Sequence, residues 1–430
     1  MTKNQAGQPA GTSQFLVLIF LLGLVTVSPV CLAADNLWEH LEQGGSSLDI
    51  MGMEEMDDHI VLVGTKYVEE IWQPSENSGS SVVPPIVRKQ LYVLRIDSDE
   101  MVDWQHEYPA LPDAQEIFSI AKSNPRRLCI VYGEQLGNEQ ALNPVLLQIN
   151  DTGKIVWATR EVLANPASRP LNQPDLEQIA NLDTLKVVGT PNDGCLLAYV
   201  TRHLTAEDET FILNLIHFDA NGSEQWRKNI ATQLYGKAFL IYDQDATQYI
   251  IVQTNQSRDA AIQAMMLAMP FRPQTAITAI DIQGKVLYQY DDLPGLKKIW
   301  VNDVSDAKGN SILLAGKSTS AWTGHINADG KVFDIYDTPK GEFDAAVATR
   351  SGGFAFTRGK FLDVTDGKLL EISSQKMSLI TTRQYVNRYL SARLPEDLPA
   401  QQILALRNNE FLVLFKLGSK LLKLHVENLQ

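Results

Sequence analysis

The side chains best suited to acid–base or metal chemistry in this sequence are its seven histidines. They are His40, His59, His106, His203, His217, His325 and His425. Zinc sites use ligands at short, recurring spacings, and no two of these histidines have such a spacing. The sequence also lacks the Gly-x-Ser-x-Gly elbow of hydrolases, the His-Glu-x-x-His zinc motif and a glycine-rich phosphate-binding loop. These tests favour a non-catalytic protein, and no cofactor or metal is predicted.

A short acidic run, Asp97-Ser98-Asp99 followed by Asp103, offers the oxygen ligands that calcium prefers. The run lies where two predicted strands meet in a tight turn, and aspartate is common in such turns because its side chain accepts backbone N–H groups. A hairpin turn is therefore favoured over a calcium site.

Segment 254–275 carries residues typical of a contact surface. It contains Met265, Met266, Met269, Phe271 and Arg272. Flexible methionines form adaptable apolar surfaces. A short helix that buries the same methionines is the alternative interpretation.

Two further polar segments are candidates for binding. Segment 72–89 begins with Trp72 and is rich in serine and proline, which also suits a flexible loop. Segment 373–402 carries arginines and tyrosines at helix-like spacing: Arg383, Tyr385, Arg388, Tyr389 and Arg393. Arginine and tyrosine are frequent in interfaces, although an exposed helix face is the commoner outcome. The predicted partner-binding residues are Met265, Met266, Phe271, Arg272, Trp72, Arg383, Tyr385 and Arg388.

The elements that position these segments are repeated hairpins. A pattern of apolar residue, polar turn ending in glycine, and tryptophan four places later occurs in "INDTGKIVW" (149–157) and "FDANGSEQW" (218–226). Related units end at Trp104, Tyr288, Asp334 and Glu371. Asp, Asn and Gly supply the positive-φ positions that short hairpins require.

A second hairpin precedes each of these units. Its strands include "DDHIVLVGT", "NPRRLCIVYG", "NDGCLLAYV", "ATQYIIVQT", "KGNSILLAG", "RSGGFAFTR" and "RNNEFLVLF". Together the hairpins predict seven four-stranded units of about 57 residues each, which is near the period of propeller blades. Trp38 stands where Trp104 and Trp157 stand in their units, so Asn36–Gln43 is expected to pair with Lys420–Val426 and complete the last blade.

This pattern resembles the bacterial exported β-propellers built from Trp-containing Asp-x-x-x-Gly-x-x-x-Trp repeats, including the quinoprotein-like group. The resemblance implies an all-β fold, a single β-propeller of seven blades, with six or eight as alternatives because the tryptophan is replaced in the later units. A large side chain on the outer strand is expected to fill the gap between blades that widens with radius. The quinone-dependent members of the group use adjacent cysteines, which this chain lacks.

Loop lengths differ between the two faces of such a propeller. The turns inside the hairpins are short, whereas the connections between second and third strands and between blades are long at 72–89, 163–184, 201–210, 254–275 and 373–402. Long loops on a rigid scaffold are where binding usually occurs. The sequence therefore predicts one uniform and one elaborated face.

The N-terminal region is typical of a secretory signal. An apolar run at 15–30 is followed by Cys31-Leu32-Ala33-Ala34, which predicts a signal peptide at 1–34 and a propeller domain at 35–430. An uncleaved signal anchor is the alternative. The formal net charge is −14 and becomes −15 when Lys3 is removed, which argues against nucleic acid and anionic membrane surfaces as partners.

These observations predict an exported, periplasmic or extracellular scaffold that binds a protein or peptide through the elaborated face. The alternative is an enzyme, a hydrolase, lyase or quinone-dependent dehydrogenase, with its site at the mouth of the central channel.

Cys129 and Cys195 are the cysteines that remain after signal cleavage. Aligning "RRLCIVYG" with "NDGCLLAY" places both at the same position of the second strand in successive blades. Because packed sheets lie about 10 Å apart and a disulfide needs Cα atoms within about 7 Å, two free, buried thiols are predicted.

Overall fold

The computed structural model of the protein describes residues between 48 and 425. Outside the described residues lie 1–47, 72–85, 110, 112–113, 136–141, 160–175, 180–181, 205–208, 256–273, 292–299, 308–310, 318–320, 339–342, 350–352, 359–360, 366–370, 377–383, 386–399, 407–409, 416–419 and 426–430. The chain divides into two compact units, Met1–Asp35 and Asn36–Gln430. Every described residue belongs to the second unit.

The described residues form seven antiparallel sheets, numbered here as blades 1 to 7 along the chain. Blade 1 contains β1 (Leu48–Met56), β2 (His59–Ile71), β3 (Ile86–Ile96) and β4 (Val102–Glu107). Blade 2 contains β5 (Ala114–Asn124), β6 (Arg127–Gln135), β7 (Leu142–Asn150) and β8 (Ile155–Thr159). Blade 3 contains β9 (Leu176–Ile179), β10 (Lys186–Gly189), β11 (Cys195–Leu204), β12 (Glu209–Phe218) and β13 (Glu224–Thr232).

The remaining four blades follow the same plan. Blade 4 contains β14 (Lys237–Asp243), β15 (Gln248–Thr254), β16 (Thr275–Asp281) and β17 (Val286–Tyr290). Blade 5 contains β18 (Trp300–Ala307), β19 (Ser311–Lys317), β20 (Ala321–Ile326) and β21 (Val332–Thr338). Blade 6 contains β22 (Ala345–Ala348), β23 (Phe354–Arg358), β24 (Phe361–Thr365) and β25 (Glu371–Lys376). Blade 7 contains β26 (Gln384–Tyr385), β27 (Ala400–Ala405), β28 (Glu410–Phe415) and β29 (Lys420–His425).

The blades are arranged in a closed ring. One strand of each blade contacts its counterpart in the next blade, and β27 of blade 7 contacts β1 of blade 1. We call these the inner strands; they are β1, β5, β10, β14, β18, β22 and β27. Apolar clusters fill the spaces between neighbouring blades. One cluster joins Leu48 and Leu94 of blade 1 to Leu412 and Leu421 of blade 7. The predicted seven-bladed β-propeller is confirmed.

The edge of blade 7 differs from the prediction. Asn36–Gln43 lies outside the described residues, so its pairing with Lys420–Val426 stays a prediction. At Leu421 and Leu422 the structure instead pairs β29 with β26, which comes from the connection that precedes β27. The boundary between blades 7 and 1 is further held by Gln402, whose side-chain amide accepts the N–H of Met53 and donates to its carbonyl oxygen.

The repeated turn and its tryptophan have a common structural role. Gly153, Gly222 and Gly284 have φ values of 74°, 81° and 82°. Each lies against the outer-strand tryptophan of the preceding blade: Trp104, Trp157 and Trp226 in that order. Gly330 meets Tyr288 and Tyr290 in the same way. The aromatic residue therefore fills the space between blades, as predicted, and the next turn requires glycine because a Cβ would collide with the ring.

An Asn or Asp side chain fixes each of these turns. The Asn150 Oδ1 atom accepts the N–H groups of Thr152 and Lys154 at 3.1 and 2.9 Å. Asp219, Asp281 and Asn327 make the equivalent contacts in blades 3 to 5. Asp97 does so in blade 1, where its Oδ1 accepts the N–H groups of Asp99 and Met101. The acidic run at 97–103 thus forms a hairpin turn, as the sequence favoured.

The prediction of free thiols is wrong, because Cys129 and Cys195 form a disulfide with Cα atoms 6.1 Å apart. Both are fully buried in the predicted second strands. The sequence alignment of the two strands was wrong by one residue. Leu128 pairs with Ile149, just before the turn of blade 2. Cys195 pairs with Phe218, just before the turn of blade 3. Cys195 therefore corresponds to Leu128. A shift of one residue reverses the side-chain direction, so the two sulfurs face each other.

Close packing of the backbones brings these cysteines within reach. Gly189, which pairs with Cys195, lies beside β5 of the preceding blade. A Cβ at Gly189 would lie 2.1 Å from the Lys122 carbonyl oxygen and the Ser123 Cα. The inner parts of blades 2 and 3 therefore approach more closely than two ordinary packed sheets do.

Candidate functional site

The two faces of the ring differ as predicted. Because consecutive strands of each blade are antiparallel, the turns within its two hairpins lie on one face, and the second-to-third-strand and inter-blade connections lie on the other. The first, the turn face, carries the five-residue Asx turns. The second, the loop face, carries the strand ends that the longer connections join; connections 72–85, 160–175 and 256–273 themselves lie outside the described residues.

Strands of blades 1 and 3 are extended toward the loop face. β2 and β3 remain paired from Ile60 to Ile71, and β11 remains paired with β12 as far as Leu204. In blade 3 the additional strand β9 pairs with β11 at Thr201–Leu204, beyond the end of β10. Regular hydrogen bonding thus continues into the loop face and gives it a rigid support.

A cluster of aromatic and cationic side chains lies at the loop-face end of blade 3. The rings of Phe211 and Tyr235 stack with centroids 4.3 Å apart and planes 12° from parallel. Tyr235, on the connection between β13 and β14, keeps 37% of its surface exposed. Arg202 is the cross-strand neighbour of Phe211. Aromatic residues and arginine are enriched in protein interfaces.

Two lysines lie at the loop-face ends of neighbouring inner strands. Lys186 begins β10 and Lys237 begins β14, so each is the first inner-strand residue after an inter-blade connection. The ammonium group of Lys237 donates to the Asn302 carbonyl oxygen at 2.7 Å and lies 4.5 Å from the centre of the Phe239 ring. Asn302 sits at a β-bulge of β18, which frees its carbonyl from the strand ladder.

Asp303 follows Asn302 in β18 and has a structural role. Its Oδ2 accepts the N–H of Ala346 at 2.8 Å and its Oδ1 accepts the N–H of Val304 at 2.9 Å, linking the inner strands of blades 5 and 6. Burial raises the pKa of the Asp303 carboxyl above its usual range and outweighs the opposing influence of nearby Lys237, these hydrogen bonds and Lys186.

The predicted partner-binding residues lie almost entirely beyond the described part of the chain. Met265, Met266, Phe271, Arg272, Trp72, Arg383 and Arg388 are outside the described residues. Tyr385 forms part of β26, on the edge of blade 7. All eight remain predictions.

The described residues add a group that sequence analysis did not identify: Lys186, Arg202, Phe211, Tyr235 and Lys237. Their positions in sequence resemble ordinary strand and turn residues. Only the order of the blades around the ring brings them to neighbouring positions on one face. Among the residues that the structure describes, no three His, Cys, Asp or Glu side chains meet in a group able to hold a metal ion.

Within the described part of the chain, no helical segment has the length and apolar character needed to cross a lipid bilayer.

No protein-family model matches the sequence, and no curated protein matches it significantly. Solved structures do match. YCF48 bound to the D1 peptide is 11% identical with a TM-score of 0.46, over 89% of this chain and 93% of that chain. Sqt1 of Chaetomium thermophilum bound to the N-terminus of ribosomal protein L10 is 8% identical with a TM-score of 0.43, over 86% and 83%.

A third match is the propeller domain of the Trilobed protease from Pyrococcus furiosus, described as having an open velcro topology. It is 9% identical with a TM-score of 0.45, over 89% of this chain and 96% of that chain. The strand order and the ring of inner strands in the structure itself show that this chain is a β-propeller protein with four-stranded blades.

Proposed function

We propose that the protein is an exported, non-catalytic β-propeller scaffold that binds a protein or peptide partner through its loop face. The observation that supports this most is the one-sided elaboration of the ring. The turn face repeats one Asx turn, whereas the loop face carries long connections, extended hairpins and the added strand β9. Variable connections on a rigid scaffold are the usual location of binding sites.

The stacked pair on the loop face supports binding of another polypeptide. Phe211 and Tyr235 present a rigid aromatic surface beside Arg202, and such residues contribute strongly to interfaces because they bury large areas with little loss of conformational freedom. The sequence-predicted residues Met265, Met266 and Phe271 belong to the connection between β15 and β16, which enters the same face.

The disulfide supports the proposed export. Cys129 and Cys195 are joined within the core, and structural disulfides are characteristic of the periplasm and other oxidising compartments. Residues 1–34 would act as the signal peptide. The repeated turn and tryptophan support a relationship to the exported Trp-repeat propellers.

Affinity purification of the tagged mature protein from its native host, with mild crosslinking, tests the proposal. We expect a partner to be recovered with wild type and to be lost when Phe211 and Tyr235 are both replaced by serine. A matched variant on the turn face, Ile155→Ser with Leu287→Ser, removes two exposed apolar side chains from outer strands and should retain the partner. Recovery of no partner with wild type would contradict the scaffold function.

A further inference from the structure

We infer that the disulfide between Cys129 and Cys195 forms in the unfolded chain, before blades 2 and 3 pack together, and that the folded propeller closes this bond to thiols and disulfides in solution. The unfolded chain is then the substrate of a disulfide-bearing oxidant, and the bond is reached later only by separating blades 2 and 3. This inference rests on the export that is part of the proposed function, and it adds the order of events that follows export.

The first step concerns the strands that carry the cysteines. Cys129 lies in β6, between β5 and β7, and Cys195 lies in β11, between β10 and β12. Neither cysteine keeps any exposed surface. A strand at the edge of a sheet opens more readily than one in its middle. Loosening of β8 or β13, the outer strands of the two blades, therefore leaves both sulfurs buried.

The second step concerns the apolar side of the disulfide. The two cysteines belong to one buried cluster to which both blades contribute. Its other buried members are Val131, Leu146 and Trp157 from blade 2, with Leu185, Val187, Leu197, Tyr199, Ile216 and Phe218 from blade 3. The bond therefore lies in the packed layer between the blades, and a reagent can enter this layer only when the blades move apart.

The third step concerns the polar side, where the side-chain amide of Gln148 covers the disulfide. The Gln148 Nε2 atom lies 3.6 Å from the Cys195 sulfur and 3.9 Å from the Cys129 sulfur. This nitrogen donates to the Asp193 carbonyl oxygen at 2.7 Å. The Gln148 Oε1 atom accepts a hydrogen bond from Arg127 at 3.1 Å. Gln148 is itself completely buried, so its amide separates the sulfurs from the surface.

Two further hydrogen bonds join the blades around this amide. Arg127 of blade 2 donates to the Ala220 carbonyl oxygen of blade 3 at 2.8 Å. The Asn124 side-chain amide of blade 2 donates to the Asp193 carboxylate of blade 3. Thiol–disulfide exchange requires a sulfur of the reagent to reach a sulfur of the protein, so its rate depends on access. These contacts and the apolar cluster close the bond while blades 2 and 3 stay together.

The order of events follows from this closure. In a folded, reduced chain both thiols would be sealed from any oxidant, so the bond must form while the boundary is open. One thiolate of the chain attacks a disulfide of the oxidant, which gives a mixed disulfide and releases one sulfur of the oxidant as a thiolate. The second thiolate of the chain then displaces the other sulfur. The two protein thiols lose two electrons and two protons, and the oxidant becomes a dithiol.

Oxidation of the reduced mature protein tests this order. One sample receives glutathione disulfide while unfolded in urea. A second sample is returned to native buffer in reductant, checked for folding by circular dichroism, freed of reductant and given the same oxidant. Alkylation at timed intervals and mass spectrometry follow the bond, which should form at least about 100-fold more slowly in the folded sample. Equal rates in the unfolded and folded samples would overturn the inference. A reduced chain that does not fold would agree with it, because the bond would then be needed before the blades pack.

Reduction of the folded, oxidised protein tests the closure independently. In dithiothreitol, wild type in native buffer should keep the bond at least about 100-fold longer than in urea. Gly222→Ala introduces a collision with Trp157 at the boundary between blades 2 and 3, and it should be reduced about tenfold faster than wild type or more. Gly284→Ala is the matched control. It has the same positive φ, 82°, and collides with Trp226 at the boundary between blades 3 and 4, so its rate should stay within about threefold of wild type.

Two results of this experiment would overturn the inference. Rapid reduction of folded wild type would show that the sulfurs are accessible. Equal acceleration by the two glycine variants would show that the bond is reached by unfolding of the whole ring and not by separation of blades 2 and 3. Both results would leave the proposed export intact. Two free thiols in protein taken directly from its native host would contradict the export itself.

Discussion

Trp157 of blade 2 packs directly against the backbone of Gly222 in blade 3. A Cβ added to Gly222 would lie 2.7 Å from the Cγ and Cδ2 atoms of the indole. Trp104 and Gly153 have the same relationship one blade earlier, and Trp226 and Gly284 one blade later. At each of these boundaries, a large aromatic ring of one blade packs against a glycine of the next blade.

The substitution Gly222→Ala tests this arrangement. The residue has φ of 81°, so alanine would introduce backbone strain as well as a collision with Trp157. We expect a loss of about 2 to 3 kcal/mol in the free energy of unfolding, measured with urea. Asn221→Ala, in the same exposed turn, should cost under about 0.5 kcal/mol. Equal losses in the two variants would show that the indole contact does not constrain the glycine.

The disulfide between Cys129 and Cys195 should contribute substantially to stability. The cysteines are 66 residues apart, and restricting an unfolded loop of that length is worth about 4 kcal/mol in the chain-entropy description. The Cys129→Ala, Cys195→Ala variant should lose a comparable amount, as should wild type unfolded and refolded in reductant. Alkylation of the exported, denatured and unreduced protein, followed by mass spectrometry, should find neither thiol modified; two alkylated thiols would contradict the bridge.

Tyr108→Phe should destabilise the boundary between blades 1 and 2. The Tyr108 hydroxyl is buried and donates to the Gly153 carbonyl oxygen at 2.6 Å, so phenylalanine would leave that carbonyl without this bond. We expect a loss of about 1 to 2 kcal/mol in thermal or urea unfolding. Tyr290 makes the analogous contact with Asp329 in a more exposed position. Tyr290→Phe should therefore cost clearly less, and a reversed order would refute the argument.

Glu54 should make stability depend on pH. Burial raises the pKa of this carboxyl to about 7, with a smaller contribution from Glu55, and the charge of Lys122 and its backbone N–H only partly oppose the effect. The folded protein therefore retains a proton that the unfolded chain has lost above its ordinary pKa of 4.5. The contribution of Glu54 to stability accordingly decreases as the pH rises from about 4.5 to about 7.

Glu54→Gln removes this dependence and keeps an acceptor for Lys122. Relative to wild type, the variant should gain stability between pH 5 and pH 8, on the order of 2 kcal/mol in urea unfolding. Glu224→Gln is the control. Its hydrogen bond to Arg227 lowers the pKa of Glu224, so that carboxyl is ionised at both pH values and its replacement should have the same effect at each. If the difference in free energy of unfolding between Glu54→Gln and wild type were the same at pH 5 and pH 8, the raised pKa of Glu54 would be contradicted.

The blades and their two unequal faces could be predicted from the sequence because hairpin turns are local. Asn150, Asp219, Asp281 and Asn327 each cap a turn whose partners lie within four residues. The role of the aromatic residue could also be predicted. Its partner glycine belongs to the next blade, but the regular spacing of the repeat indicates that the aromatic ring lies between two neighbouring blades.

Other features depend on contacts between segments that are distant in the chain, and no pattern in the sequence indicated them. The register of Cys195 is set by its pairing with Phe218, and a one-residue difference decided whether a disulfide formed. The approach of blades 2 and 3 at Gly189 is visible only in three dimensions. Lys186 and Lys237 lie 51 positions apart in the chain, and only the sequence of blades around the axis places them together.

The contact of Gln402 with Met53 spans 349 residues of sequence. Among the described residues, blades 7 and 1 meet through this amide, the aliphatic side chains around it and the Gln401 contact with Met51. Every other pair of neighbouring blades is also joined by a covalent connection between its last and first strands. Force applied between Leu48 and His425 would therefore act on a non-covalent boundary, and we expect the described part of the ring to separate there first.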